Sequence, residues 1–123
     1  MLLAALSLRR TRSVVSSESQ LNGKEALVIR HIVVVKFTEG APQQEIAAIV
    51  AALRALPPRI PEIRHYQVGL DVVHSSRSYD FALVSGFDDQ AALERYRAHP
   101  DHVPVAQRLQ AISQSLIAVD FEE

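Results

Sequence analysis

Three side chains able to move protons fall within the eight residues "YRAHPDHV": Tyr96, His99 and His102. An imidazole titrates near ~6.5 when unperturbed, so it exchanges protons at neutral pH. A tyrosine hydroxyl beside it can donate to an oxygen that gains charge when a proton leaves the neighbouring carbon. A fourth such group, His31, stands in the apolar run "LVIRHIVVVKF". Together His31, Tyr96 and His102 are candidates for proton transfer alpha to a carbonyl, with His102 as base, Tyr96 as oxyanion donor and His31 as an orienting group. The competing reading is structural. His99 caps a helix break at Pro100, and His102 anchors that break to the sheet through His31.

A metal site has little support. Pro100 breaks the helix between His99 and His102, only Asp101 is close by as a third donor, and the chain has no cysteine. Zinc usually takes about three or four protein ligands. We therefore assign no metal and no cofactor. No glycine-rich phosphate loop and no G-x-S-x-G elbow is present.

Several elements must position these residues. Leu27–Phe37 is a β-branched, nearly continuous apolar run, which reads as a strand covered on both faces. His31, Val33, Val35 and Phe37 share one face; Ile32, Val34 and Lys36 share the other. Pro42–Leu56 carries Ile46, Ile49, Val50, Leu53 and Leu56 at helical spacing, and "PPRIP" ends it. Glu62–Val72 and Tyr79–Phe87 read as the second and third strands. Asp88 is placed to cap a helix, "DQAALERYRAH", that Pro100 interrupts. A second piece runs from Val103 to about Ser113, and "SLIAVDFEE" closes as a fourth strand with a solvated acidic end. The order β-α-β-β-α-β predicts a ferredoxin-like α+β fold, a four-stranded antiparallel sheet with helices on one face and the second helix broken at Pro100. Val33, Val35, Phe37, Phe81 and Leu83 would wall a small apolar pocket beside His31. The opposite sheet face has no element left to cover it, which predicts a homodimer.

The totals set bounds. The chain has 123 residues, 48% of them hydrophobic, with a formal charge of −1, a size suited to one domain. The first 27 residues hold four of its basic residues and two of its acids, so the remainder is net acidic at −3 and offers no nucleic-acid surface. No apolar run approaches the ~20 residues needed to span a bilayer. Residues 1–26 are rich in serine, arginine and small apolar residues, with no acid before Glu18. They read either as a disordered extension or as a mitochondrial targeting segment, and residues 27–123 as the folded domain. The location expected is cytoplasmic, with mitochondrial as the alternative.

The stretches "RHIVVVKF", "GLDV", "YDFALVSGFDDQAAL" and "YRAHPDHVPV", in this order, resemble the stress-responsive A/B barrel (Dabb) domain family from about residue 29 to 122. The resemblance implies a dimeric α+β barrel made of two ferredoxin-like halves, and a protein of stress response without a fixed reaction. Olivetolic acid cyclase, a plant member, is similar to this chain at its catalytic types, which match His31, Tyr96 and His102. The chain departs from it in a shorter loop between strands two and three. It also has Leu53 where the cyclase has a pocket tyrosine. The function expected is a homodimeric stress-response module with a small apolar or aromatic ligand. The alternative is a cofactor-independent cyclase, lyase or isomerase on a carbonyl or polyketide-like substrate. A cofactor-free monooxygenase of similar fold ranks below it.

Overall fold

The computed structural model describes residues 28–123; the expectations for residues 1–26 lie outside the described residues. The elements are β1 (Ile29–Phe37), α1 (Gln43–Arg54), β2 (His65–Leu70), β3 (Phe81–Phe87), α2 (Gln90–Ala98), α3 (Val103–Ala111) and β4 (Ser113–Glu122). The four strands form one sheet in the order β2-β3-β1-β4, every neighbouring pair antiparallel. This is the ferredoxin-like fold, with the two central positions taken by the strands richest in buried apolar residues.

Strand alternation sorts β1 cleanly. Ile29, His31, Val33 and Val35 are buried, while Arg30, Ile32, Val34 and Lys36 are only partly covered. The register carries this division across the sheet. His31 lies opposite Ser85 on β3 and Asp120 on β4, Val33 opposite Leu83 and Ala118, and Val35 opposite Phe81 and Leu116. The α1 stripe of Ile46, Ile49, Val50 and Leu53 seals the far end of that face, and Leu56 is buried just beyond the helix. Truncating one of these aliphatic side chains to alanine would cost about 2–5 kcal/mol through lost burial and the cavity left behind.

Local chemistry sets the element ends. The turn before α1 uses Gly40 at φ 82°, a conformation that costs a residue with a Cβ. Pro42 sits at the N-cap in extended conformation, one place before the first helical residue. At α2 the cap is Asp89, whose Oδ1 accepts from the Ala92 N–H at 2.8 Å. Asp88, expected to cap, instead forms a two-pronged ion pair with Arg64. Strand β2 itself begins at His65, opposite Gly86, and the Arg64 N–H still donates to the Gly86 carbonyl at 2.8 Å. The helix break is as expected. α2 ends at Ala98, and α3 starts at Val103.

The other sheet face is not covered by any of the described residues. Ile117, Val119 and Phe121 of β4 are exposed there at 52%, 60% and 44%, beside the partly covered Ile32 and Val34 of β1 and Ala82 and Val84 of β3. Among the described residues no helix is long and apolar enough to cross a membrane.

Candidate functional site

The site lies between the sheet and the broken helix pair. Tyr96, on the last turn of α2, is fully buried and is the hub of an aromatic cluster. Its ring centroid is 4.2 Å from that of His102, 4.9 Å from Phe87, 6.0 Å from Tyr66 and 6.4 Å from His31. The hydroxyls of Tyr96 and Tyr66 share a hydrogen bond of 2.7 Å. Burial pushes both phenols up, Tyr66 to about 12 and Tyr96 further, so both stay protonated. Each therefore has one hydrogen to give. If Tyr66 donates to Tyr96, the Tyr96 hydrogen is left for a third group.

Each imidazole is held by its Nδ1. His31, 6% exposed, has Nδ1 at 2.5 Å from Asp120 Oδ1. His102 Nδ1 is 3.1 Å from the Arg97 carbonyl. A carbonyl only accepts, so Nδ1 of His102 carries the hydrogen and Nε2 of the neutral ring keeps its lone pair. His102 is held below the ordinary imidazole range. Burial is the main cause and the bond to the Arg97 carbonyl opposes it; the nearby Arg97 guanidinium adds to the depression. His99 faces the other way. Its Nδ1 accepts from the Asp101 N–H at 3.0 Å, and its carbonyl takes the His102 and Val103 N–H groups.

A cavity of about 350 Å³ opens against these groups. His31, Tyr96 and His102 line one side, Val33, Leu83 and Ala118 the sheet floor, and Leu53, Leu109 and Leu116 the apolar walls. Ala106, with the exposed Arg97 and Gln110, completes the lining. Such a cavity is within the range of small-molecule sites: apolar walls, few polar groups, all converging. Among the described residues no group of three or more His, Asp or Glu side chains is placed to hold a metal ion.

Fold, register and the Tyr96–His102 geometry point to one family, and residues 29–123 match it by the description Stress responsive A/B Barrel Domain. The chain belongs to this family. An uncharacterized protein of Streptomyces coelicolor is 38% identical over 77 residues, 61% of this chain and 79% of that protein. A stress-response A/B barrel domain-containing protein of Arabidopsis thaliana is 30% identical over 115 residues, 92% of this chain. The match spans 42% of that longer protein. A solved structure from Thermobifida fusca, described as a dimeric ferredoxin-like protein of unknown function, aligns with a TM-score of 0.74 at 28% identity. The alignment covers 80% of this chain and 93% of that one.

This A/B barrel domain brings His31, Tyr96 and His102 to one cavity, with Val33 and Leu83 in its floor. Val35, Phe37 and Phe81 lie on the same sheet face but not in that lining. They sit further along the strands, where Val35 and Phe81 are closed into the core and Phe37 packs its ring on Phe81 at 6.2 Å. These three positions fall outside that lining because alternation tells which face a residue takes and not how far along the strand a helix covers it. The acidic end of β4 is corrected: Asp120 is the His31 partner rather than solvated edge. His102 makes no hydrogen bond to His31; its ring, at the start of α3, is tied to α2 through the Arg97 carbonyl. Asp120, Tyr66 and Arg97 are the site residues that sequence reasoning missed. Asp120 had one usable signal, a carboxylate in step with Leu116 and Ala118 on the inward face of a strand, where it needs a partner.

Proposed function

We propose that this domain acts as a homodimeric stress-response module whose cavity takes a small apolar or aromatic carbonyl compound. The observation that carries this is the cavity itself: apolar walls meeting two imidazoles whose Nδ1 atoms are already engaged. The dimer rests on the uncovered apolar sheet face and on the dimeric state described for the Thermobifida fusca structure.

A second reading, a cofactor-independent cyclase, lyase or isomerase, is favoured by the neutral state of His102. Nε2 of His102 would take a proton alpha to a carbonyl. The electron pair would move onto the carbonyl oxygen, which the Tyr96 hydroxyl, supplied with a hydrogen bond by Tyr66, would stabilise. His31, held by Asp120, would orient the substrate. The step moves one proton and leaves the oxidation state unchanged.

The test is histidine titration by NMR on the full chain, with and without small aromatic and β-diketone compounds. The expected outcome is a His102 midpoint below the ordinary imidazole value, with His31 and His102 signals shifting on ligand addition. Since the base form is the neutral one, any turnover should fall as pH drops through that lowered midpoint, and His102→Ala should abolish it. Histidine signals indifferent to every compound would leave "HPDH" a structural helix break.

A further inference from the structure

Arginines in this domain are almost all spoken for. Arg30, Arg59, Arg64, Arg95 and Arg108 each hold a carboxylate within 3.2 Å, and Arg54 donates to the Val68 carbonyl. Arg77 lies on the loop between β2 and β3 and does not line the cavity. Arg97 differs from all of them. It lines the cavity, and its guanidinium makes no ion pair or hydrogen bond with the described residues. It is the one permanently charged side chain in that lining. Its charge already acts on the site, since it disfavours protonation of His102 and favours ionisation of Tyr96.

We propose that Arg97 is the anion-binding residue of the cavity, which therefore takes amphipathic carboxylates: an apolar body between Val33, Leu83 and Leu109, and a carboxylate on the guanidinium. This rests on the reading of the cavity as a ligand site. A planar guanidinium presents paired N–H groups that match the two oxygens of a carboxylate, and such charge-assisted bonds are the stronger kind. One guanidinium balances one carboxylate charge, whereas a phosphate dianion would leave charge unbalanced beside apolar walls. The cavity has the room of about a dozen waters, which suits a molecule of about ten non-hydrogen atoms. On its other side Arg97 faces a hollow of about 380 Å³ that Glu94, Asp120 and Glu122 also line. Asp120 is committed to His31. The negative charges of Glu94 and Glu122 oppose an incoming anion, so removing one should strengthen its binding.

The probes are octanoate, octanamide and octyl phosphate, each titrated into the 15N-labelled full chain. Octanoate should bind at least ~10-fold more tightly than octanamide, the advantage of a charged hydrogen bond over a neutral one. Arg97→Gln should erase that ratio while octanamide still binds. Glu94→Gln should tighten octanoate and leave octanamide unchanged. The His102 midpoint should rise with octanoate bound, because a neutralised Arg97 no longer opposes its protonation. Equal binding of octanoate and octanamide, or a ratio that survives Arg97→Gln, overturns the proposal and leaves the cavity standing as an apolar site. Octyl phosphate binding more tightly than octanoate overturns the carboxylate assignment. Silence from all three probes overturns both the proposal and the ligand reading of the cavity.

Discussion

His31 owes its orientation to a residue far away in the chain. Asp120 reaches it because β1 and β4 pair in a register that sets the two opposite each other. Removing the carboxylate should therefore act on both stability and ring geometry. Asp120→Ala leaves the Nδ1–H of a buried ring without an acceptor, which should cost about 1–3 kcal/mol. Asp120→Asn keeps an acceptor oxygen and loses the charge. With the Asp120 side chain 37% exposed, solvent screening should hold the cost of that change to about 1 kcal/mol. Urea denaturation gives the order, and the His31 ring nitrogen shifts report whether Nδ1 has lost its partner. Equal stability for wild type and both variants would show that the short contact carries no weight.

At the scale of elements, the break between α2 and α3 presents His102 beside Tyr96. Pro100 cannot supply an N–H to continue α2. His99 takes up the slack by turning to extended backbone, ψ 135°, and accepting the Asp101 N–H on its ring. His99→Ala should lose about 1 kcal/mol of this capping, which in a domain of this size lowers the midpoint of thermal unfolding by about 4–8 °C. His99→Asn offers an oxygen in nearly the same place and should recover most of the loss. Calorimetry decides the matter, and an unchanged midpoint in the alanine variant would refute the capping role. The α1 helix does a different job. Its stripe was readable as core, and Leu53 from that stripe also closes one wall of the cavity.

For the whole molecule, the question is what covers the second face of the sheet. Ile117, Val119 and Phe121 extend its apolar surface to the edge strand. A stable protein interface needs about 800 Å² from each partner, and a four-stranded sheet face offers that order of area. Val119→Glu places a charge in the middle of the β4 contribution. It should convert a dimer in sedimentation equilibrium into a monomer, with the cavity-lining residues unchanged in NMR. A wild-type chain that sediments as a monomer would remove the barrel from the proposed function. A dimer indifferent to Val119→Glu would move the interface off this face.

The sequence by itself determined the element order, the buried stripe of α1, the inward set of β1 and the break at Pro100. These are local features, since periodicity, proline and β-branching act within a few residues. It also pointed to His31, Tyr96 and His102 through composition and through a motif confined to one short stretch. The tertiary structure decided the rest. Asp88 read as the cap of α2, yet Asp89 serves, because Asp88 pairs with Arg64 across the fold. Val35, Phe37 and Phe81 share a face with Val33, yet distance along the strand separates core from cavity. The Tyr66–Tyr96 bond joins residues 30 positions apart, and the His31–Asp120 pair spans 89. Arg97 reads in sequence as one more surface charge on a helix. Its meaning comes from which acids lie within reach, a property of packing that no local pattern encodes.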